Sequence, residues 1–466
     1  MVSHGLRAGL RNRIAALGLC IAALSIAIAV AVSSSSRAAG ADPTTLTGTL
    51  PDGATYLIQV PDPWNGTLLL YSHGYVVPGS PNPAEDVGDP LTGGWLLSHG
   101  YALAGSSYAT TGWAIQQAIP DQIATLDAFD SAVGTPTRTI AWGHSLGGII
   151  TAGLLQDDPG RFDAALPMCG VLAGGVGTWN LALDAEFAIQ QLIAPSVQIV
   201  HITDPSGNLA VAEGAIAAAQ GTAQGRARLA LAAALGDLPG WFNPASPEPA
   251  ANDYTSQEAN QFDWETQVDG PFIFAFRAEL EARAGGNPSW NTGVNYKKQL
   301  ENSVDFAEVK ALYASAGLSL DSDLRTLNSA PRISADPGAV KYLTDNIVFN
   351  GNLHGKPVLT MHTTGDGLVV NEDEQAYRSA VQDAKDPQLL RQVFVHRAGH
   401  CTFTPAETIT ALQALVRRLD TGHWRVDPSR LDTSAAALGS TYNVSPPSFI
   451  PFEPAPFLRP YDLAVH

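Results

Sequence analysis

Cysteine, methionine and basic residues are all scarce in this 466-residue chain. Three cysteines cannot staple a chain of this length, which excludes a disulfide scaffold. Lys and Arg number 26 against 44 Asp and Glu, for a formal charge of −18. Residues 1–41 hold Arg7, Arg11, Arg13 and Arg37 and no acid; setting these four aside leaves 22 basic residues against 44 acidic ones. A phosphate-backbone binder needs a basic stripe, so nucleic acid is not an expected partner. Neither a collagen-type glycine period nor sustained heptads occur. His-Glu-x-x-His, Cys-x-x-Cys and Gly-x-x-x-x-Gly-Lys are also missing, so neither a metal nor a cofactor is expected. What remains is 45% hydrophobic, too apolar for disorder, and long enough for one large or two to three ordinary domains.

The N-terminus reads as an address. Three arginines precede a 19-residue apolar run over 14–32, then serines, then Ala39-Gly40-Ala41 before Asp42. A basic region, a hydrophobic region and a small-x-small site predict a secretory signal peptide over 1–41 and an exported protein. The alternative is an uncleaved anchor, because 19 apolar residues also suffice to span a bilayer. No later run is long enough to do so, so no membrane span is expected after cleavage. Cys169 and Cys401 survive cleavage; in an oxidising compartment they are either one disulfide or two separate buried thiols.

From about 55 to 170, short apolar runs alternate with turns and helical stretches. Segments 56–60, 68–71, 101–104, 139–142 and 164–167 read as strands, several of them apolar throughout as strands buried on both faces are. A helix is predicted over 120–133, stopped by Gly134. This alternation implies an α/β fold with a mostly parallel sheet and right-handed crossovers. Between 171 and 350 the rhythm stops. Ala-rich segments at 209–219 and 227–235, together with 274–284, favour helix, and a Pro/Gly/Asn-rich loop spans 240–252. Strands resume at 357–362 and 390–395, followed by a helix over 405–419. The organisation predicted is a core over 42–170 and 351–430, a mainly helical cap over 171–350, and a Pro/aromatic-rich C-terminal extension over 431–466 lying as a surface strap.

The chemistry concentrates at four places. Thr139-Ile140-Ala141-Trp142-Gly143-His144-Ser145-Leu146-Gly147-Gly148 carries a strand into Gly-x-Ser-x-Gly and out into a helix-compatible segment. A serine on a sharp strand-to-helix turn presents its hydroxyl above the sheet, and side chains two residues to either side would collide there. Ser145 is the predicted nucleophile. It needs a base, and His400, in the loop after the strand 390–395, is the candidate; His396 belongs to the strand end and His144 packs beside the nucleophile. The orienting acid is expected at a strand exit between the two in chain order, which selects Asp366 in Thr364-Gly365-Asp366-Gly367. Glu372, Asp373 and Glu374 read instead as a solvated helix start. Two backbone N–H groups must hold the oxyanion. Leu146 supplies one, and Tyr75, after the strand exit Ser72-His73-Gly74, supplies the other.

With His73-Gly74-Tyr75, Gly143-His144-Ser145-Leu146-Gly147, Gly365-Asp366-Gly367-Leu368-Val369 and Gly399-His400-Cys401-Thr402-Phe403 in this order, the chain resembles the α/β-hydrolase superfamily. The resemblance covers about 180 residues, over 55–170 and 355–420, and implies a central eight-stranded sheet, a Ser-His-Asp triad and ester or amide hydrolysis. Cys401 directly after His400 is similar to tannase- and feruloyl-esterase-type enzymes, which tie the histidine loop with a disulfide. Those enzymes place the partner cysteine directly before the serine, where this chain has His144. Cys169 ends the next strand instead, so the resemblance implies a Cys169–Cys401 bond pinning the His400 loop.

The leading expectation is a secreted serine hydrolase cleaving carboxylic esters, with a small-molecule or polymeric substrate. An aminopeptidase or amide-cleaving acylase would use the same residues, with Asp184, Glu186, Glu279 or Glu281 of the insertion either binding a substrate amine or lying on solvated helix faces. A third class is an inactive relative that only binds, against which the complete set of chemical residues argues.

Overall fold

A computed structural model describes residues 42–461; the predicted signal peptide lies outside the described residues. Nine strands form one sheet: β1 Thr44–Thr49, β2 Thr55–Val60, β3 Thr67–Ser72, β4 Ala102–Ser106, β5 Arg138–His144, β6 Ala164–Met168, β7 Val358–Gly365, β8 Leu390–Ala398 and β9 Phe449–Ile450. Their order is β1-β2-β4-β3-β5-β6-β7-β8-β9. The run from β4 to β8 is parallel; β1, β2 and β9 join antiparallel at the two edges. This is an α/β-hydrolase fold.

Central strands of such a sheet are covered on both faces, and composition follows. All six residues of β3 and all five of β6 are buried. Leu68, Leu70, Ala141 and Ala165 face a core that includes Ile149, Ile150 and Leu154 of the helix Leu146–Asp157. Leu69, Trp142, Leu166 and Met361 face the opposite core, closed by Ile409, Leu412 and Leu415 of the helix Pro405–Thr421. The helix predicted over 120–133 starts earlier, at Ile115, and runs to Ala132 with Pro120 inside it.

Among the described residues, no strand lies between β6 and β7. That stretch is helical and has a core of its own, where Phe187, Leu229, Leu231, Tyr296 and Leu300 pack together. One part departs from plain α-helix. Glu265–Asp269 and Phe272–Phe276 are π-helical turns between the helices Tyr254–Trp264 and Arg277–Ala284. The C-terminal extension is more than the expected surface strap. It forms the helix Pro428–Ala436, contributes β9 to the sheet edge and buries Phe449 and Phe457. The sheet therefore has one strand more than the resemblance implied. No described helix is long and apolar enough to cross a membrane.

Candidate active site

Ser145 sits between β5 and the helix Leu146–Asp157 with φ 59° and ψ −123°. A non-glycine residue at positive φ is strained and persists only where its surroundings hold it. Here the Ser145 N–H donates to the Met168 carbonyl at 3.0 Å, and its own carbonyl accepts from Gly148 N–H at 2.8 Å. The flanking glycines are required by the neighbouring strand. A Cβ on Gly147 would stand 1.9 Å from the Ser72 carbonyl oxygen, and one on Gly143 2.4 Å from the same atom. The close approach of the turn to the end of β3 therefore explains both glycines.

The same crowding places the early loop beside the serine. A Cβ on Gly74 would lie 3.5 Å from Ser145 Cβ and 3.9 Å from its Oγ, so the Gly74-Tyr75 segment runs against the hydroxyl. Leu146 opens its helix, where first-turn N–H groups have no intrahelical acceptor. The Tyr75 ring packs against Phe272 at 5.1 Å and Phe276 at 6.0 Å between centroids, which brings the π-helical turn of the insertion to this point.

Asp366 leaves β7 fully buried. Its Oδ2 accepts from His400 Nδ1 at 2.7 Å, and its Oδ1 accepts from the N–H groups of Leu368 and Val369 at 3.1 Å each. Burial pushes this carboxyl up, but the charge of His400 and hydrogen bonds from His362 and His400 outweigh it and hold the group below the usual range. With Nδ1–H committed to Asp366, Nε2 of His400 is the nitrogen left to accept a proton.

The His400 loop is anchored from both sides. Arg397 makes a two-pronged contact to buried Glu407 at 2.7 and 2.9 Å, and Glu407 caps its own helix reciprocally with Thr404. Cys401 is disulfide-bonded to Cys169, with Cα atoms 5.4 Å apart, so of the two readings the sequence left open the bond is the one formed. Cys169 directly follows Met168, the residue whose carbonyl holds Ser145. The Cys401 sulfur stands 3.3 Å from His400 Nε2. The two sulfurs and His400 also cluster within 4.8 Å, but disulfide sulfurs are not thiolate ligands.

His362 and Glu374 are the residues sequence reasoning missed. His362 is buried on β7, four residues before Asp366. Its Nδ1 faces Glu374 Oε1 at 3.2 Å, and its Nε2 faces the Val369 carbonyl at 2.9 Å and Asp366 Oδ2 at 3.5 Å. Both ring nitrogens thus face acceptors, which only the doubly protonated imidazolium satisfies. Burial opposes that charge, but Asp366 and Glu374 overcome it and raise the ring well above its ordinary value. Glu374 also accepts from Thr360 Oγ1 and from Gln392 Nε2. The run Glu372-Asp373-Glu374 is accordingly buried at 5, 1 and 0% exposure, not the solvated helix start its charges suggested.

The other acids singled out in the insertion are also reassigned. Asp184 accepts from Tyr296 Oη at 3.0 Å, Gln299 Nε2 at 2.9 Å and Arg459. Glu186 and Glu281 flank buried Arg277 at 3.7 and 3.3 Å. Glu279 binds Arg283 and the Trp113 N–H. Asp184, Glu279 and Glu281 are hydrogen-bonded to internal partners, whereas Glu186 is fully buried with only the Arg277 charge beside it and no hydrogen bond to either carboxylate oxygen; none of the four lies on a solvated helix face. His396 lies half-exposed against Trp241 and Glu248. His144 meets Tyr71 Oη at 3.2 Å, and burial together with nearby His400 pushes it down to about 4.

The chain is 31% identical over 426 residues to the o-phthalyl amidase of Xanthobacter agilis, covering 84% of this chain and 90% of the relative. It belongs to that amidase's family, within the α/β-hydrolases. No family model matches the chain. Among solved structures, this α/β-hydrolase is similar to an esterase from Aspergillus oryzae (TM-score 0.43, 13% identity, 82% of this chain and 80% of that one). It is also similar to feruloyl esterase B from the same organism (TM-score 0.37, 16% identity, with the same coverage). The α/β-hydrolase is a hydrolytic enzyme.

Proposed function

We propose that the protein is a serine hydrolase that cleaves amide bonds through an acyl-enzyme on Ser145. The contact that carries this reading is His400 Nδ1 to buried Asp366 Oδ2 at 2.7 Å, in a loop tied by Cys401–Cys169 to the strand end that holds Ser145. Ser145 Oγ attacks the carbonyl carbon while His400 Nε2 takes its proton. Asp366 stabilises the imidazolium, and the Tyr75 and Leu146 N–H groups hold the oxyanion. Collapse breaks the C–N bond as His400 returns the proton to the leaving amine. Water then repeats the sequence on the acyl-enzyme and releases the acid.

The amidase relative favours the amide over the ester expected from the sequence. Tyr75, next to the Gly74 that abuts Ser145, packs with Phe272 and Phe276, an aromatic cluster in keeping with an aromatic acyl group. Ester hydrolysis is the second reading, favoured by the disulfide at the histidine loop, the feature similar to tannase- and feruloyl-esterase-type enzymes. Export is part of the proposal: the disulfide suits an oxidising compartment. The test is a matched series of aryl-acyl p-nitroanilides and p-nitrophenyl esters with wild type and Ser145→Ala. Turnover should fall by at least about 10³-fold in the variant, and anilide cleavage should be sustained by wild type. Undiminished turnover in Ser145→Ala would sink the nucleophile. Ester turnover without anilide turnover would move the assignment to an esterase.

A further inference from the structure

Glu265 and Asp269, four residues apart on a π-helical turn, line one cavity. Its volume is about 60 Å³, several times the ~10–15 Å³ that a single water needs. Leu181, Ile189 and Ile273 give it apolar walls, and Gly367 and Leu368, directly after Asp366, close another side. Glu265 is 2% exposed and Asp269 9%. Neither Glu265 carboxylate oxygen has a hydrogen-bond partner, nor does Asp269 Oδ2. Buried carboxyl groups are normally paired, yet no Lys, Arg or His lines this cavity. Asp373, a third acid on its wall, is committed to the Ala173 N–H at 2.9 Å. A multivalent metal does not match the arrangement. Among the described residues, the only three potential ligand groups that converge are Cys169, His400 and Cys401, and hard divalent ions demand several oxygens at once.

We propose that this cavity is a subsite for a primary alkylammonium group, its head held by Glu265 and Asp269 and its stem by the apolar walls. An ammonium supplies three donors and the missing charge to oxygens that have neither. Burial raises both carboxyls, with Asp366 adding to the effect at Asp269; a cation between them reverses that shift. The group has two sources, a second amine carried on the substrate or a free amine product. Placing it on the amine side of the scissile bond rests on the amide-cleaving reading, so binding is measured apart from turnover.

In Ser145→Ala protein, saturating n-butylammonium chloride should raise Tm by at least about 2 °C over n-butanol at matched ionic strength. That rise should vanish when Glu265→Gln and Asp269→Asn are added. Ala185→Leu, which fills the cavity wall and keeps both carboxyls, should also abolish it and guards against a folding defect in the first variant. With otherwise wild-type enzyme, an aryl amide of 1,4-diaminobutane should show a KM at least about 10-fold below that of the n-butylamide, if the substrate carries the ammonium. A Tm rise with equal KM values assigns the subsite to the free amine. No Tm rise over n-butanol, or one that survives both variants, overturns the proposal. The binding result holds even if the enzyme proves to be an esterase.

Discussion

At the scale of single residues, the acid Asp366 is served by two imidazoles, and they do different work. The His400 side chain is 18% exposed and has its second nitrogen beside the Cys401 sulfur, whereas His362 is fully buried with both nitrogens facing acceptors. On the proposed mechanism His362 is a positioning residue: set between buried Asp366 and Glu374, it adds to His400 in holding the Asp366 carboxyl below its usual range. In His362→Gln, kcat should fall about 10-fold or more with KM little changed, because a loss near 1.4 kcal/mol in transition-state stabilisation is a decade in rate. The acidic limb of the pH–kcat profile should also move to higher pH, since Asp366 loses a partner that lowers its pKa. A merely structural His362 would reduce Tm and leave the profile where it was. Gly147 gives a second prediction. A methyl 1.9 Å from the Ser72 carbonyl cannot be relieved by turning a side chain, so Gly147→Ala must move the end of β3 or the strand-to-helix turn at Ser145. Its expected cost is at least about 1–3 kcal/mol, read by chemical denaturation. An unchanged midpoint would show that the two elements separate freely.

At the scale of elements, the site is a meeting of strand ends, and the disulfide is the one covalent tie between them. It joins residues 232 positions apart, so Cys169→Ser with Cys401→Ser should cost about 2–5 kcal/mol and lower kcat by loosening the His400 loop. Wild type heated with a dithiol should show the same drop in Tm. Equal Tm values in oxidised and reduced protein would assign loop rigidity to the Arg397–Glu407 contact alone. The elements that build this meeting point were legible because each carries its own local signal. β6 is apolar throughout and β3 and β5 have apolar centres, the turn at Ser145 has its glycines, and the helix Pro405–Thr421 has its cap. β1 has no such signal. Its sequence Thr-Thr-Leu-Thr-Gly-Thr is largely exposed, and it is a strand because it pairs with β2. The helix Pro90–Ser98 and the two-residue β9 were likewise illegible, being stabilised by what they pack on. His362 and Glu374 were missed for the same reason: a histidine and a charged run acquire meaning only when β7 and its following helix bring them together.

At the scale of the whole molecule, the chain's acidity reaches the interior. Burial raises Glu258 to about 7, Glu308 to about 9, Glu372 to about 8 and Asp373 to about 7, against about 4 in an unfolded chain. A carboxyl whose pKa is raised by folding binds its proton more tightly in the native state. Its stabilising effect is complete below the unfolded value and is lost as pH rises through the folded one. Asp366, held below its ordinary value, acts in the opposite sense, losing its contribution as pH falls through that lowered value. His144, pushed down to about 4, also opposes: it weakens folding between its unfolded value near 6.5 and about 4, because the unfolded ring takes up a proton first. Four raised carboxyls outnumber these two, and a formal charge of −18 adds self-repulsion in the same direction. Denaturation midpoints should therefore be highest in mildly acidic buffer and fall steadily from about pH 6 to 9, by up to about 1.4 kcal/mol per pH unit for each carboxyl that titrates. Glu308→Gln, which keeps the shape and removes the titration, should flatten the upper end of that fall near pH 9. A midpoint that stays level from pH 6 to 9 would mean that these carboxyls are solvated or paired in solution, and that the interior tolerates their charge.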